Sequence, residues 1–305
     1  MGLPRAAIQL IAETVHDYKI GGRVLIIGKQ DVWGTGLEAT RWIRERGITP
    51  ASCEVRISTK PDFKRLDFIQ DISLFNLMGF REVITLDHSD YEGAQILCDL
   101  NLPLPDELVA KAGCFDLIVE SGCMEHIFNV PQVLRNLHRL AGDGGVVIHL
   151  AASSNLVDHG FYMFSPGLFA DYYTANRWQI LQHYFFQNGP NFNAPWKIYE
   201  YKPGGLWAYS FAGGLNRKMC GVYVAARKLP GSTCDASVQQ GMFSRTWTRG
   251  TADPATGSAG RWQAFRERLK PHVPRFLIPA LLAIEARMKT LGGVRRYLQR
   301  HRPGR

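Results

Sequence analysis

Residues 115–149 read FDLIVESGCMEHIFNVPQVLRNLHRLAGDGGVVIH. Asp116 precedes a short apolar run, Leu117 to Val119, which predicts a buried strand. A polar loop carrying Glu125-His126 follows. From Val130 to Leu140 the apolar residues Val133, Leu134, Leu137 and Leu140 recur at helical spacing. Gly142 to Gly145 form a turn into a second apolar run, Val146 to Leu150. Strand, loop, helix, turn and strand in that order predict two parallel strands joined by a crossover helix.

The same alternation extends outward. Upstream, residues 5–18 read as a helix, Arg23 to Gly28 as a buried strand, and Gly34 to Arg46 as a helix stopped by Gly47. Residues 48–66 show no period and read as an insertion with one short strand at Glu54 to Ile57. Asp67 to Met78 reads as a helix capped by Asp67, and Glu82 to Leu86 as a strand with Asp87 at its end. Gln95 to Cys98 is a short strand ending at Asp99, and Pro105 to Ala112 a short helix. Downstream, Ser165 to Asn176 is a helix with Pro166 in its first turn. Strands over about 179–186 and 220–226 flank an aromatic, Gly- and Asn-rich segment, 187–218. The pattern predicts an α/β fold, a doubly wound and mostly parallel sheet whose last two strands form an antiparallel hairpin at the edge.

Composition narrows the class. Of the 305 residues, 46% are hydrophobic and 11% aromatic, values of a globular chain with a sizeable core. Six scattered cysteines, with no Cys-x-x-Cys pair, predict reduced thiols and no metal site of that kind. The start MGLPRAAIQL has neither a signal-peptide pattern nor a myristoylation pattern, and no apolar run is long enough for a membrane span, so a cytoplasmic protein is expected. Charge is uneven: residues 261–305 hold 12 Lys and Arg against two acids, while the 24 bases and 25 acids elsewhere nearly cancel. Three regions follow: a folded body over 1–228, a Ser-, Thr-, Gly- and Pro-rich linker over 229–260 read as flexible, and a basic tail over 261–305 with a disordered end. Within the tail, Leu277, Leu281, Ile284, Met288 and Leu291 share one helical face. Such a helix suits an anionic inner membrane surface or a protein partner ahead of nucleic acid, since no RNA-binding motif is present. The oligomeric state is open.

The FD strand, the EH pair, the helix ending at Leu140 and the glycine turn together resemble the second half of a class I S-adenosylmethionine-dependent methyltransferase. The resemblance covers about residues 20–227 and implies a Rossmann-like sheet of seven strands, with S-adenosyl-L-methionine as cofactor at the carboxyl ends of the strands. It implies Gly28 beside the methionine part, Asp87 on the ribose hydroxyls, Asp99 and Leu100 at the adenine, and Glu120 and Ser121 after the fourth strand. The family's glycine loop is altered: Ile26 stands at its acid position and Lys29-Gln30-Asp31 replaces its glycines. Asp31 either supplies the missing carboxylate from a shifted position or caps a helix.

His126, and His159 with Tyr162 in VDHGFYMFSP, are the candidates to face an acceptor, either histidine serving as general base for a hydroxyl. Loop ordering and ordinary packing are the competing roles. The aromatic segment 184–209 is the expected acceptor wall, suited to a small molecule or a glycan. The expected activity is methyl transfer to oxygen or nitrogen. The rival is a non-catalytic module of the same fold that binds a partner or membrane through its tail.

Overall fold

A computed structural model describes residues 2–191, 193–215, 218–241, 243–244 and 273–303. Along the chain, β1 (Gly2–Leu3), α1 (Arg5–Asp17), β2 (Gly22–Ile27), β3 (Asp31–Thr35) and α2 (Gly36–Glu45) come first. Next come α3 (Pro61–Arg65), β4 (Phe68–Gln70), α4 (Asp71–Leu77), β5 (Phe80–Asp87), β6 (Ile96–Leu97) and α5 (Asp106–Ala112). They are followed by β7 (Phe115–Ser121), a 3-10 turn (Met124–His126), α6 (Val130–Leu140), β8 (Ala141–Ser154), α7 (Pro166–Ala175) and β9 (Gln179–Asn188). β10 (Lys197–Glu200), α8 (Trp207–Phe211), β11 (Met219–Arg227), α9 (Ile278–Thr290) and β12 (Arg300–His301) complete the described elements.

β2 shows why the sheet is covered on both faces. Val24 and Ile26 enter one core cluster with residues of α1, α2 and α4, while Leu25 and Ile27 enter another with residues of α6 and α7. A strand apolar on both sides belongs mid-sheet between parallel neighbours, and β2 lies parallel to β5 on one side and β7 on the other. β8 runs parallel to β7, and β11 runs antiparallel to both β8 and β9. The full order is β12-β10-β9-β11-β8-β7-β2-β5-β6. The chain passes from β2 out to β5 and β6 and then returns to β7, so the switch point lies between β2 and β7, where open α/β sheets form their crevice.

The expected strand, loop, helix and strand over 115–149 are present, with Val133, Leu134, Leu137 and Leu140 buried on α6, but the turn expected at Gly142 to Gly145 is part of β8, whose pairing with β7 shifts register there. Several other expectations are corrected. The altered glycine loop becomes β3, which joins β1 and β4 in a second, three-stranded sheet. Helix α2 therefore starts at Gly36, and Thr35 caps it reciprocally: its Oγ1 accepts from Glu38 N (3.2 Å) and Glu38 Oε2 accepts from Thr35 N (3.0 Å). Asp67 is no cap; it takes a left-handed φ of 53° before β4, and α4 begins at Asp71. The strand expected at 54–57 shrinks to a single bridge between Ile57 and Ile69.

The seven expected strands are extended by β10 and β12, so the β9–β11 pair is not the edge. β11 also inserts between β8 and β9, because its small and β-branched residues are buried on both faces. The described part of the linker is pinned: Thr233 N donates to Asn176 O (2.9 Å) and Trp178 Nε1 to Thr233 O (3.1 Å). The end of the tail is docked rather than loose, with Val294 and Leu298 buried against Phe185 and Tyr199. Residues 245–272, which include the start of the tail, lie outside the described residues. On and around α9, Leu277, Leu281, Ile284, Met288 and Leu291, expected to share one helical face, are exposed, and so are Phe276, Ile278 and Leu282. No helix of the described residues is long and apolar enough to cross a membrane. All six cysteines are free thiols.

Candidate functional site

At the carboxyl end of β2 the chain must turn sharply. Gly28 supplies a left-handed φ of 69°, and its N–H donates to Leu86 O on β5 (2.7 Å). Asp87, at the end of β5, accepts from Lys29 N (3.3 Å) and from His88 N (2.6 Å). A carboxylate offers about four lone-pair sites, so it retains capacity for further donors. Gln30 is almost fully buried, and its Nε2 lies within hydrogen-bond reach of Ile27 O (3.2 Å), Gly28 O (3.2 Å) and Ser121 O (3.1 Å). Its amide thus spans the switch point from β2 to β7, where the family pattern has glycines. Gln30 Oε1 is buried and has no partner.

Beneath it, fully buried Asp71 accepts from Gln30 N (3.2 Å) and pairs with Lys29 Nζ (3.1 Å). Asp31 is drawn off toward the insertion. Lys60 Nζ pairs with it at 2.8 Å and with Glu92 at 2.5 Å. These residues border a polar cavity of about 520 Å³ with Lys29, Gln30 and Asp71. Asp99 Oδ1 accepts from Asn101 N and Nδ2, both at 2.9 Å, and these bonds hold the carboxyl below its usual pKa range. Leu100 does not open onto the crevice: its side chain is buried in the core and its carbonyl accepts from Asn136 Nδ2 (3.1 Å).

Beyond β7 the crevice widens. Ser121, Glu125, Ala151, Asn188, Trp196 and Trp33 are among the residues around a cavity of about 290 Å³. Phe186 and Trp196 stack at 4.0 Å, which realises part of the expected aromatic wall; Tyr199, Leu206 and Tyr209 belong to a separate cluster. The opposite wall, Trp33 against Phe63 at 5.1 Å, comes from β3 and the insertion. Residues 48–66 show no period, and the one local signal for this wall is that Trp33 and Phe63 are large aromatics in otherwise polar stretches.

Glu120 faces away from this cavity. It is fully enclosed: Oε1 accepts from Cys123 N and Met124 N (both 2.9 Å), and Oε2 lies 2.9 Å from His149 Nδ1. His149 Nε2 lies 2.6 Å from the Tyr173 hydroxyl. The role implied for it at the cofactor becomes one of holding the loop that carries Glu125-His126. Ser121 is buried at the cavity wall, with Oγ unpartnered.

Glu125 is also buried, and its Oε2 has no partner. Burial, and secondarily Glu120, pushes its carboxyl up to about 8. The next strand–helix loop is laid over it. Phe161 N and Tyr162 N both donate to Glu125 O (2.8 and 3.2 Å), and a side chain at Gly160 would put Cβ 2.8 Å from the same oxygen. His159 Nε2 is thereby held 3.6 Å from Glu125 Oε1, and the His126 and His159 rings meet edge to face at 5.1 Å. Burial, then the neighbouring His159, lowers the His126 pKa, which favours the neutral base. Tyr162 is not at the cavity; its hydroxyl donates to Phe128 O (2.8 Å) and ties the two loops together.

The body of the sheet, β6-β5-β2-β7-β8-β11-β9, has β11 alone reversed, with helices on both faces. This is the class I methyltransferase fold. No family model and no curated protein matches the chain. Similar solved structures include the 1,6-didemethyltoxoflavin-N1-methyltransferase of Burkholderia thailandensis, at 12% identity over 74% of this chain and 80% of that one, with a TM-score of 0.36. The N-methyltransferase NodS of Bradyrhizobium japonicum shares 9% identity over 74% and 88%, also at 0.36. An S-adenosylmethionine-dependent methyltransferase of Mesorhizobium loti shares 16% over 73% and 98%, again at 0.36.

Proposed function

We propose that the chain binds S-adenosylmethionine across the ends of β5, β2 and β7 and transfers its methyl group to a small acceptor in the adjoining cavity. One observation carries this reading: acceptor atoms without partners collect at the switch point. Gln30 Oε1 and Ser121 Oγ are buried and unpartnered there. Buried polar groups are seldom left so unless a ligand or water completes them. The cofactor's ammonium and ribose diol are hydrogen-bond donors and fit such a set. Asp87 has lone pairs left for the diol, and Asp99 has Oδ2 free of the Asn101 bonds.

The cofactor supplies an electrophilic methyl group on a sulfonium. The chain's part is to hold donor and acceptor in line and to exclude water. The stacked Phe186–Trp196 wall and the facing Trp33 favour a small planar acceptor. His159, which borders that cavity, is the base for an acceptor hydroxyl, with His126 packed against its ring outside the cavity.

Calorimetric titration of the full chain with S-adenosylmethionine and S-adenosylhomocysteine tests the reading. Micromolar binding of both is expected, and Asp87→Ala should weaken it about 10- to 100-fold, the range of a charge-assisted hydrogen bond. A folded protein that gives no heat at millimolar ligand leaves the non-catalytic module as the better reading.

A further inference from the structure

The geometry points to a divalent transition-metal site formed by Glu125, His126 and His159 at the mouth of the acceptor cavity, with open positions that take an oxygen of the acceptor. One ligand atom from each side chain lies no farther than 4.8 Å from the other two. Glu125 Oε1 and His159 Nε2 are already 3.6 Å apart. With metal–ligand bonds of about 2.0–2.2 Å, two ligands on a tetrahedral ion stand about 3.3 Å apart. The widest gap therefore has to close by at most about 1.5 Å. His126 and His159 are both exposed and can make that movement by side-chain rotation, while buried Glu125 stays fixed.

The arrangement is built by backbone contacts between two distant loops. The amides of Phe161 and Tyr162 both donate to the carbonyl of Glu125, and Gly160 allows the close approach. These contacts bring His159 over residues 33 to 34 positions earlier in the chain. Glu125 adds the second, independent indication: its Oε2 is buried without a hydrogen-bond partner, although both oxygens of neighbouring Glu120 are partnered from within the protein.

Two imidazoles and one carboxylate suit Zn²⁺, Co²⁺, Fe²⁺ or Mn²⁺ better than Mg²⁺ or Ca²⁺, which prefer all-oxygen shells. Three protein ligands leave coordination positions open, as catalytic sites do. Glu125 and His159 also border the cavity that holds Ser121 and Asn188, so those positions open toward the proposed acceptor. An acceptor hydroxyl bound there would release its proton to water more readily, and the two imidazoles, as ligands, would then not act as its base. The metal site itself does not depend on the cofactor reading, because the ion can be titrated with no cofactor present.

The test is titration of the full chain with Zn²⁺ by calorimetry and with Co²⁺ by visible absorption, both without S-adenosylmethionine. We expect one ion bound through these side chains in the micromolar range, with ligand-field bands for Co²⁺. His126→Ala and His159→Ala, both at exposed positions, should each weaken that event tenfold or more, as should Glu125→Gln in a sample shown to be folded. No binding to the unaltered chain overturns the proposal. Binding whose affinity and Co²⁺ spectrum survive both histidine substitutions overturns it equally, since the ion is then held elsewhere.

Discussion

On the side of β2 and β5 the strand ends are roofed by the chain itself, with Gln30 bridging to β7, Lys29 paired to Asp71, and Lys60 clamping Asp31 to Glu92. On the side of β7, β8 and β9 they open into an aromatic-walled cavity, beside which Ser121 Oγ and Glu125 Oε2 have no partner. Both sides carry acids and amides, so residue type does not separate them. What separates them is how far the polar groups are completed from within: on the roofed side Lys29, Lys60 and the Gln30 amide nitrogen are all engaged and Gln30 Oε1 alone of these is left over, whereas the open side leaves both Ser121 Oγ and Glu125 Oε2. A completed network rigidifies, whereas an incomplete one raises the free energy of the empty site and is relieved by a ligand.

The largest expected effect is on the loop that floors the open side. Glu120→Ala leaves two backbone amides and the His149 ring without their acceptor. It should cost roughly 3–5 kcal/mol in urea unfolding, as loss of one partner from a buried polar cluster does. A change below about 1 kcal/mol would mean that this cluster does not hold the Glu125-His126 loop.

The second is a pH dependence in the middle of β9, where the His183 ring packs on Tyr201. Burial pushes the His183 imidazole down to about 4, and its Nε2 has no partner. The unfolded chain therefore binds the proton more readily than the folded one. Stability from this group is fully present above about pH 6.5 and is lost as pH falls toward about 4, by the order of 3 kcal/mol. His183→Phe should flatten that segment of the stability–pH curve; an unchanged slope would assign the dependence to other groups.

The smallest concerns the roof. Gln30→Ala removes the bridging amide and also the orphaned Oε1, so the two changes partly offset. A loss of about 1–2 kcal/mol in thermal or urea unfolding is expected. If stability instead rises, the bridge is strained, and the contrast between a satisfied and an unsatisfied side has to be redrawn.

Much of the sheet was legible because period and strand-end chemistry are local. Leu117 to Val119, the α6 stripe and the runs at 23–28 and 146–150 fix buried strands and a crossover helix without knowledge of their neighbours. Asp87 and Asp99 could be placed at strand ends for the same reason. β3 was not legible: DVWGT alternates over only a few residues, and its partners, β1 and β4, are remote or very short.

The sequence by itself determined the α/β class, the strand ends at Gly28 and Asp87 and the loop carrying Glu125-His126, since each follows from spacing along a few turns or strands; the switch point needed the strand order. Only the tertiary structure decided which polar atoms are left unpartnered. That depends on distant segments meeting: Gln30 reaching Ser121, Lys60 reaching Asp31, and His159 being laid over Glu125 by two backbone hydrogen bonds. Hydrogen-bond satisfaction is a property of what surrounds an atom after packing, and no local period encodes it.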